Sequence, residues 1–174
     1  GRVAEPFELR IVDENRRPVP DGQPGEVAVR GDTVMREYWR NAAATAKALD
    51  DEGWFYTNDL AVRDACGYIE LVGRKTDMYK SGGENIFPRE IETVLESHPA
   101  VALVAVVGVP DEVYGEVGHA FAALKPGFDA DPAELRSYCK ARLANFKVPK
   151  RFFVQAELPL LPNGKIDRRA LKGG

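Results

Sequence analysis

Lys165 follows a tight-turn pair in Pro159-Leu160-Leu161-Pro162-Asn163-Gly164-Lys165-Ile166-Asp167. A turn at a loop tip can carry the ammonium away from its own core and into a facing site. A point charge so placed suits a reaction that builds negative charge on phosphate oxygens, where each preorganised donor is worth roughly 3–4 kcal/mol. Taken alone, the motif equally describes a solvated surface lysine. A second set of groups lies in Gly73-Arg74-Lys75-Thr76-Asp77-Met78-Tyr79-Lys80-Ser81-Gly82-Gly83-Glu84 and runs on to Glu92. The paired glycines let backbone approach a ligand with no side chain in the way, although an ordinary hairpin uses such a pair too. A third set is Trp54-Phe55-Tyr56-Thr57-Asn58-Asp59-Leu60. Here the Asp59 carboxylate offers two oxygens to a pair of hydroxyls, or simply caps a turn.

The elements that must position these groups change character along the chain. The first seventy or so residues read as β-rich: Phe7 to Val12 alternates apolar and polar, and Glu26 to Arg30 alternates with the valines on one face. Asp13 to Gly25, with three prolines and two glycines, is a turn-rich connection. Asn41 caps a short Ala-rich helix to about Ala48, and Trp54 to Tyr56 reads as a strand by aromatic content. Asp64 to Gly67 is a hairpin turn before a strand over Tyr68 to Val72, and Gly73 is expected to break that strand.

Beyond it, Pro88 marks a first helical turn, with Glu90 and Glu92 suited to the positive end of the helix dipole. Val101 to Val109 has the β-branched run of a strand buried on both faces, and Val117 to Leu124 can pair with it. Asp131-Pro132-Ala133-Glu134 opens a second amphipathic helix, and Arg151 to Val154 is a third strand. These make a small α+β layer after a boundary near Gly73 to Asp77.

Composition narrows the function. A net charge of −3 over 174 residues gives no reason to invoke nucleic acid or an anionic membrane. No apolar run is long enough to span a bilayer, and a cytoplasmic protein is expected. Cys66 and Cys139 form no CxxC pair and are expected to be reduced core thiols; His98 and His119 are isolated, and no metal site is expected.

In this order, the three motifs resemble the C-terminal end of the adenylate-forming enzymes, the acyl-CoA synthetases above all. The resemblance runs from Gly1 to Lys172. It implies an α+β fold: the β-rich end of a large adenylation domain over residues 1–75, then a small mobile C-terminal domain over residues 76–174, with a central sheet flanked by helices. It implies a ligase that activates a carboxylic acid, of fatty-acid type, as acyl-AMP at the expense of ATP carrying Mg²⁺, then transfers it to CoA. In this family the lysine matching Lys165 holds the acid and the α-phosphate during adenylation. Lys80 with Gly82, Gly83 and Glu84 matches the loop that enters the site for thioester formation. By the same resemblance Asp59 takes the ribose hydroxyls, Arg74 contacts ribose or phosphate, and Thr76 is the domain hinge.

The chain departs from the pattern in two places. The hinge is usually Asp or Lys, so Thr76 implies a hinge without a charged latch. The family normally has glycine at Asn58, though asparagine tolerates left-handed backbone angles. Between Glu134 and Glu157 there is no acidic residue, while Arg136, Lys140, Arg142, Lys147, Lys150 and Arg151 all fall there. These are either a solvated face or cations for an anionic ligand, with Lys147 and Lys150 the candidates for CoA phosphates. No Gly/Ser/Thr-rich phosphate loop ending in Lys occurs. The chain is therefore expected to be inactive alone and to need the missing N-terminal domain of the same protein. No carrier sequence follows Lys172, which favours free CoA over a carrier protein as acceptor. An oxidative luciferase-like enzyme and a non-catalytic binding module of the same fold remain alternatives.

Overall fold

A computed structural model describes residues 1–173. The chain divides into two compact units, Gly1–Thr76 and Asp77–Gly174, the last residue lying outside the described range.

The first unit is one antiparallel sheet in sequence order, of β1 (Glu8–Val12), β2 (Pro24–Arg30), β3 (Phe55–Arg63) and β4 (Ile69–Arg74). A short helix, α1 (Ala42–Ala48), begins where Asn41 accepts a hydrogen bond from the Ala44 N–H. Trp54 is buried beneath two guanidiniums, with Arg10 at 4.1 Å and Arg30 at 4.6 Å from its ring centre. Gly73 does not break the last strand. It lies within β4 opposite Leu60, and a register shift between Leu60 and Ala61 absorbs the irregularity. The aromatic strand runs further than Tyr56, carrying Asn58 and Asp59 inside β3.

The second unit is built on β7 (Val101–Asp111) and β8 (Gly115–Leu124), a long antiparallel pair. The other edge of β8 takes β9 (Arg151–Gln155) in parallel, and at Gly115 meets β5 (Tyr79–Ser81), which turns back into β6 (Glu84–Ile86). The period of two sorts the apolar run between two faces. Val104, Val106, Ala120 and Ala122 join Ile91 and Leu95 of α2 (Pro88–Glu96) and Leu135 and Cys139 of α3 (Pro132–Lys140). Ala105, Val107, Phe121 and Ala123 pack instead with Leu158 and with Leu171 of α4 (Arg168–Lys172). Both faces of β7 are therefore covered, which accounts for its near-continuous β-branched sequence. Asp131 caps α3 as expected, accepting from the Glu134 N–H.

Two expectations need correction. Cys139 is a core thiol, and burial pushes its pKa up to about 11, but Cys66 is exposed in the β3–β4 turn. Glu92 does not serve the helix dipole: it is 2% exposed, and its carboxylate is taken by Arg168. Glu92 is the fifth residue of α2, past its first turn, and in sequence a carboxylate there reads alike whether it faces water or a distant partner.

Candidate functional site

In the first unit the β3–β4 register sets Asp59 directly opposite Arg74. The two pair, with Arg74 Nε 2.7 Å from Asp59 Oδ1. That single contact leaves the second carboxylate oxygen and the terminal guanidinium nitrogens free of one another. The pair thus offers an acceptor and donors side by side, as a sugar hydroxyl next to a phosphate requires. Asn58 has φ +61°, so the left-handed conformation expected at this position is adopted by an asparagine.

The sequence did not announce Glu26, the residue that holds this irregular stretch of β3, where the β2–β3 register shifts. It is 7% exposed, its Oε1 accepts the Asn58 N–H at 2.9 Å, and its Oε2 takes Lys75 Nζ at 2.9 Å. The available signal was an acid beside the apolar Val27-Ala28-Val29, which equally describes a solvated residue on an alternating strand. Thr76 is the last residue of this unit and is exposed.

In the second unit Lys80, Gly82, Gly83 and Glu84 share the β5–β6 hairpin. Gly82 and Gly83 have φ +58° and +91°, the pair of positive angles of a type I′ turn, which glycine adopts without strain. The turn is fastened by the Gly82 N–H to the Tyr114 carbonyl at 2.9 Å, and by the Lys80 N–H to Glu116 Oε2 at 3.0 Å. Beneath it Tyr79 is buried against two glycines, Gly108 and Gly118, which face each other across β7 and β8. Burial, then the Glu116 carboxylate, push the Tyr79 phenol well above its ordinary pKa, so it remains neutral.

A cleft of about 480 Å³ opens beside this hairpin, lined among others by Gly82, Tyr114, Arg136, Lys140, Phe146 and Lys150. Tyr114 and Phe146 are 46% and 51% exposed, so aromatic faces are available next to three cations. Such a cleft suits a flat ring carrying phosphates. Lys150 belongs to it, its ammonium 4.7 Å from the Tyr114 ring centre. Lys147 does not: its ammonium is held by both oxygens of Glu90, at 2.7 and 2.8 Å, so that carboxylate competes for the charge. Of the basic stretch, Arg136 is also engaged, donating to the Lys150 carbonyl.

Lys165 is placed differently. The bridge between Leu160 and Ile166, with the Leu161 N–H donating to the Lys165 carbonyl at 2.7 Å, closes a tight loop. Gly164 has φ +79° at its tip, and the Lys165 N–H donates to Asn163 Oδ1 at 3.1 Å. The Lys165 side chain is exposed. Leu158 and Leu171 anchor the loop to the Ala105/Val107 face of the sheet, with Ile166 packed against them, whereas α3 of the cleft packs on the other face. Among the described residues no group of three or more His, Cys, Asp or Glu is arranged to hold a metal ion, and no helix is long and apolar enough to cross a membrane.

The model of the AMP-binding enzyme C-terminal domain matches residues 90–165, and that of the AMP-binding enzyme matches residues 1–39. A putative acyl-CoA synthetase, YngI, of Bacillus subtilis is 43% identical over 99% of this chain and 32% of its own length. A 2-succinylbenzoate–CoA ligase of Geobacillus kaustophilus is 41% identical over 99% of this chain and 35% of its own. The chain thus spans about a third of the length of the curated relatives it matches. Among solved structures, ATP-bound MatB from Rhodopseudomonas palustris has a TM-score of 0.90 at 32% identity, covering 99% of this chain and 35% of that one. An o-succinylbenzoate CoA synthetase (MenE) of Bacillus subtilis, in complex with its acyl-adenylate intermediate, has a TM-score of 0.87 at 38% identity, covering 95% of this chain and 34% of that one.

Proposed function

The chain is a C-terminal portion of the adenylate-forming superfamily, and from that premise we propose that its full-length parent is an AMP-forming carboxylate–CoA ligase. In the first half-reaction a carboxylate oxygen attacks the α-phosphorus of Mg²⁺-bound ATP, giving acyl-AMP and releasing pyrophosphate. In the second the CoA thiol attacks the acyl carbon, the carbonyl–oxygen bond to AMP breaks, and the thiol proton is lost.

The observation that carries this reading is the division of one small sheet between two tools. The lysine loop hangs from one face, and the basic, aromatic cleft beside the glycine turn adjoins the helix on the other. Lys165 would meet the charge that builds on the α-phosphate. The Lys80–Glu84 hairpin would line the approach of the thiol arm, with the nucleotide end of CoA against Tyr114, Phe146 and Lys150. Rotation of residues 76–174 about Thr76 would bring each tool in turn to an acid held by the rest of the protein. Residues 1–75 would supply Asp59 and Arg74 to the nucleotide.

The names of several relatives carry CoA as the acceptor, which favours CoA over a carrier protein. Their acids range from 2-succinylbenzoate to sulfoacetate and crotonobetaine or carnitine. The fatty-acid type is therefore a narrower proposal, and a panel must include aromatic and small polar acids as well. The deciding experiment is acid-dependent AMP release by the full-length parent, with and without CoA. AMP release that requires both acid and CoA supports the ligase; an adenylate that accumulates beside CoA overturns CoA as acceptor.

Two outcomes follow for the parts. The purified 174-residue chain should release no pyrophosphate from ATP with any acid, since it contains no Gly/Ser/Thr-rich phosphate loop and, on this reading, the acid is held by the rest of the protein; steady release would contradict the reading. Charge reversal in the cleft, Lys150→Glu, should raise the KM for CoA about tenfold, the value of one charge-assisted hydrogen bond, while pyrophosphate release holds. Lys147→Glu should affect KM less, because Glu90 already holds that ammonium. Equal KM effects at both positions would place the anion elsewhere.

A further inference from the structure

Arg168 lies three residues past Lys165, and its guanidinium is a junction between distant parts of the second unit. Nη1 and Nη2 make a bidentate pair with Glu92 of α2, at 2.7 and 3.0 Å. Nη1 also donates to the Val106 carbonyl of β7 at 2.9 Å, while Glu92 Oε1 accepts the Val106 N–H at 2.8 Å. Nε stands 3.3 Å from Asp77 Oδ2, in the first residue of the unit. One side chain therefore joins the lysine loop to a helix, to the central sheet and to the point where the chain enters.

An ion pair of this kind is weak evidence for stability, because desolvating two charges offsets most of their attraction, and apolar replacements often do as well. What a planar fork provides is direction. It satisfies its partners in one orientation, whereas apolar anchors such as Leu158, Ile166 and Leu171 tolerate sliding. Nothing comparable restrains Lys165 itself: its ammonium has no partner among the described residues, and the loop tip is exposed. The placing of that ammonium must come from further back along the chain, and Arg168 is the nearest directional contact to the rigid sheet.

We propose that Arg168, held by Glu92, is a positioning residue that sets the register and aim of the Lys165 loop for adenylation. The proposal rests on the reading of Lys165 as the adenylation lysine. It requires a loss confined to one half-reaction, since the glycine hairpin and the cleft are held by other contacts.

The test uses the full-length parent in two variants beside Lys165→Ala. Arg168→Lys keeps the charge and loses the fork. Arg168→Met combined with Glu92→Gln removes both charges and keeps an acceptor for the Val106 N–H, so the fold survives without a stranded ion. Each should slow acid-dependent pyrophosphate release about 10- to 100-fold, as a misplacement on the order of 1 Å does. Thioester formation from preformed acyl-adenylate should remain at the wild-type rate in both. Equal losses in the two half-reactions, tracking a lowered melting temperature, would make Arg168 merely structural and overturn the proposal. Wild-type pyrophosphate release by the double variant would overturn it as well. If Lys165→Ala itself spares pyrophosphate release, the reading of Lys165 falls and the proposal falls with it. If Lys165→Ala is defective and the Arg168 variants are not, the proposal alone fails.

Discussion

Lys165→Ala in the full-length parent should cut acid-dependent pyrophosphate release by about 10²–10³-fold, the usual loss when one preorganised donor to a developing oxyanion is removed. The fold should hardly notice. The side chain is exposed, and the loop is closed by backbone contacts between Leu161 and Lys165 and between Asp167 and Pro159 that alanine retains. Thioester formation from preformed acyl-adenylate should stay near wild type, because the groups proposed for that step lie on the β5–β6 hairpin and in its cleft. The two half-reactions are measured separately, by pyrophosphate release and by CoA consumption with synthetic adenylate. An equal loss in both would make Lys165 a structural residue. Arginine is the informative second substitution: it keeps the charge but not the compact ammonium, so partial activity would point to charge and none to shape.

Gly108→Ala should be the most damaging single methyl group in the second unit. A Cβ there would stand 2.7 Å from Tyr79 Cγ and nearer still to Tyr79 Cβ, the rigid root of a buried side chain rather than its movable end. Gly118→Ala meets the other end of the same ring, 3.1 Å from Cζ. Overpacking of this kind costs about 3 kcal/mol, which for a domain near this size lowers the melting temperature on the order of 15 °C. Thermal denaturation of the chain reads the effect. The double variant Gly108→Ala/Tyr79→Gly should be little worse than Tyr79→Gly alone, since the clash needs the Cβ and ring of residue 79. Additive losses would mean that the glycine serves the backbone and not the tyrosine. Because Tyr79 adjoins Lys80 and the Gly82–Gly83 turn, a milder clash should also appear as a defect in thioester formation.

Much of this was legible in the residues because it is local. A cap is read over four positions, as at Asn41 and Asp131, and both cap hydrogen bonds are present. The double-glycine turn and the left-handed Asn58 follow from what single residues permit sterically. The β-branched run of Val101 to Val109 foretold a strand covered on both sides, which the structure extends to Asp111. Local signals also misled. Gly73 looked like a breaker, but a strand with a register shift opposite can carry a glycine through.

By itself the sequence determined the motifs, their order, and the class of element bearing each. Tertiary structure alone decided which charges meet. Glu92 and Arg168 lie 76 positions apart, and nothing in the sequence of a short helix says that one of its acids will be desolvated by so distant a partner. Lys147 and Lys150 look equivalent in the chain, yet one is spent on Glu90 and the other faces the cleft. Asp59 and Arg74 become a pair through strand register, and Glu26 becomes their support through burial. A charge's energy depends on the dielectric and the partners around it, and both are properties of the folded arrangement rather than of neighbours in sequence.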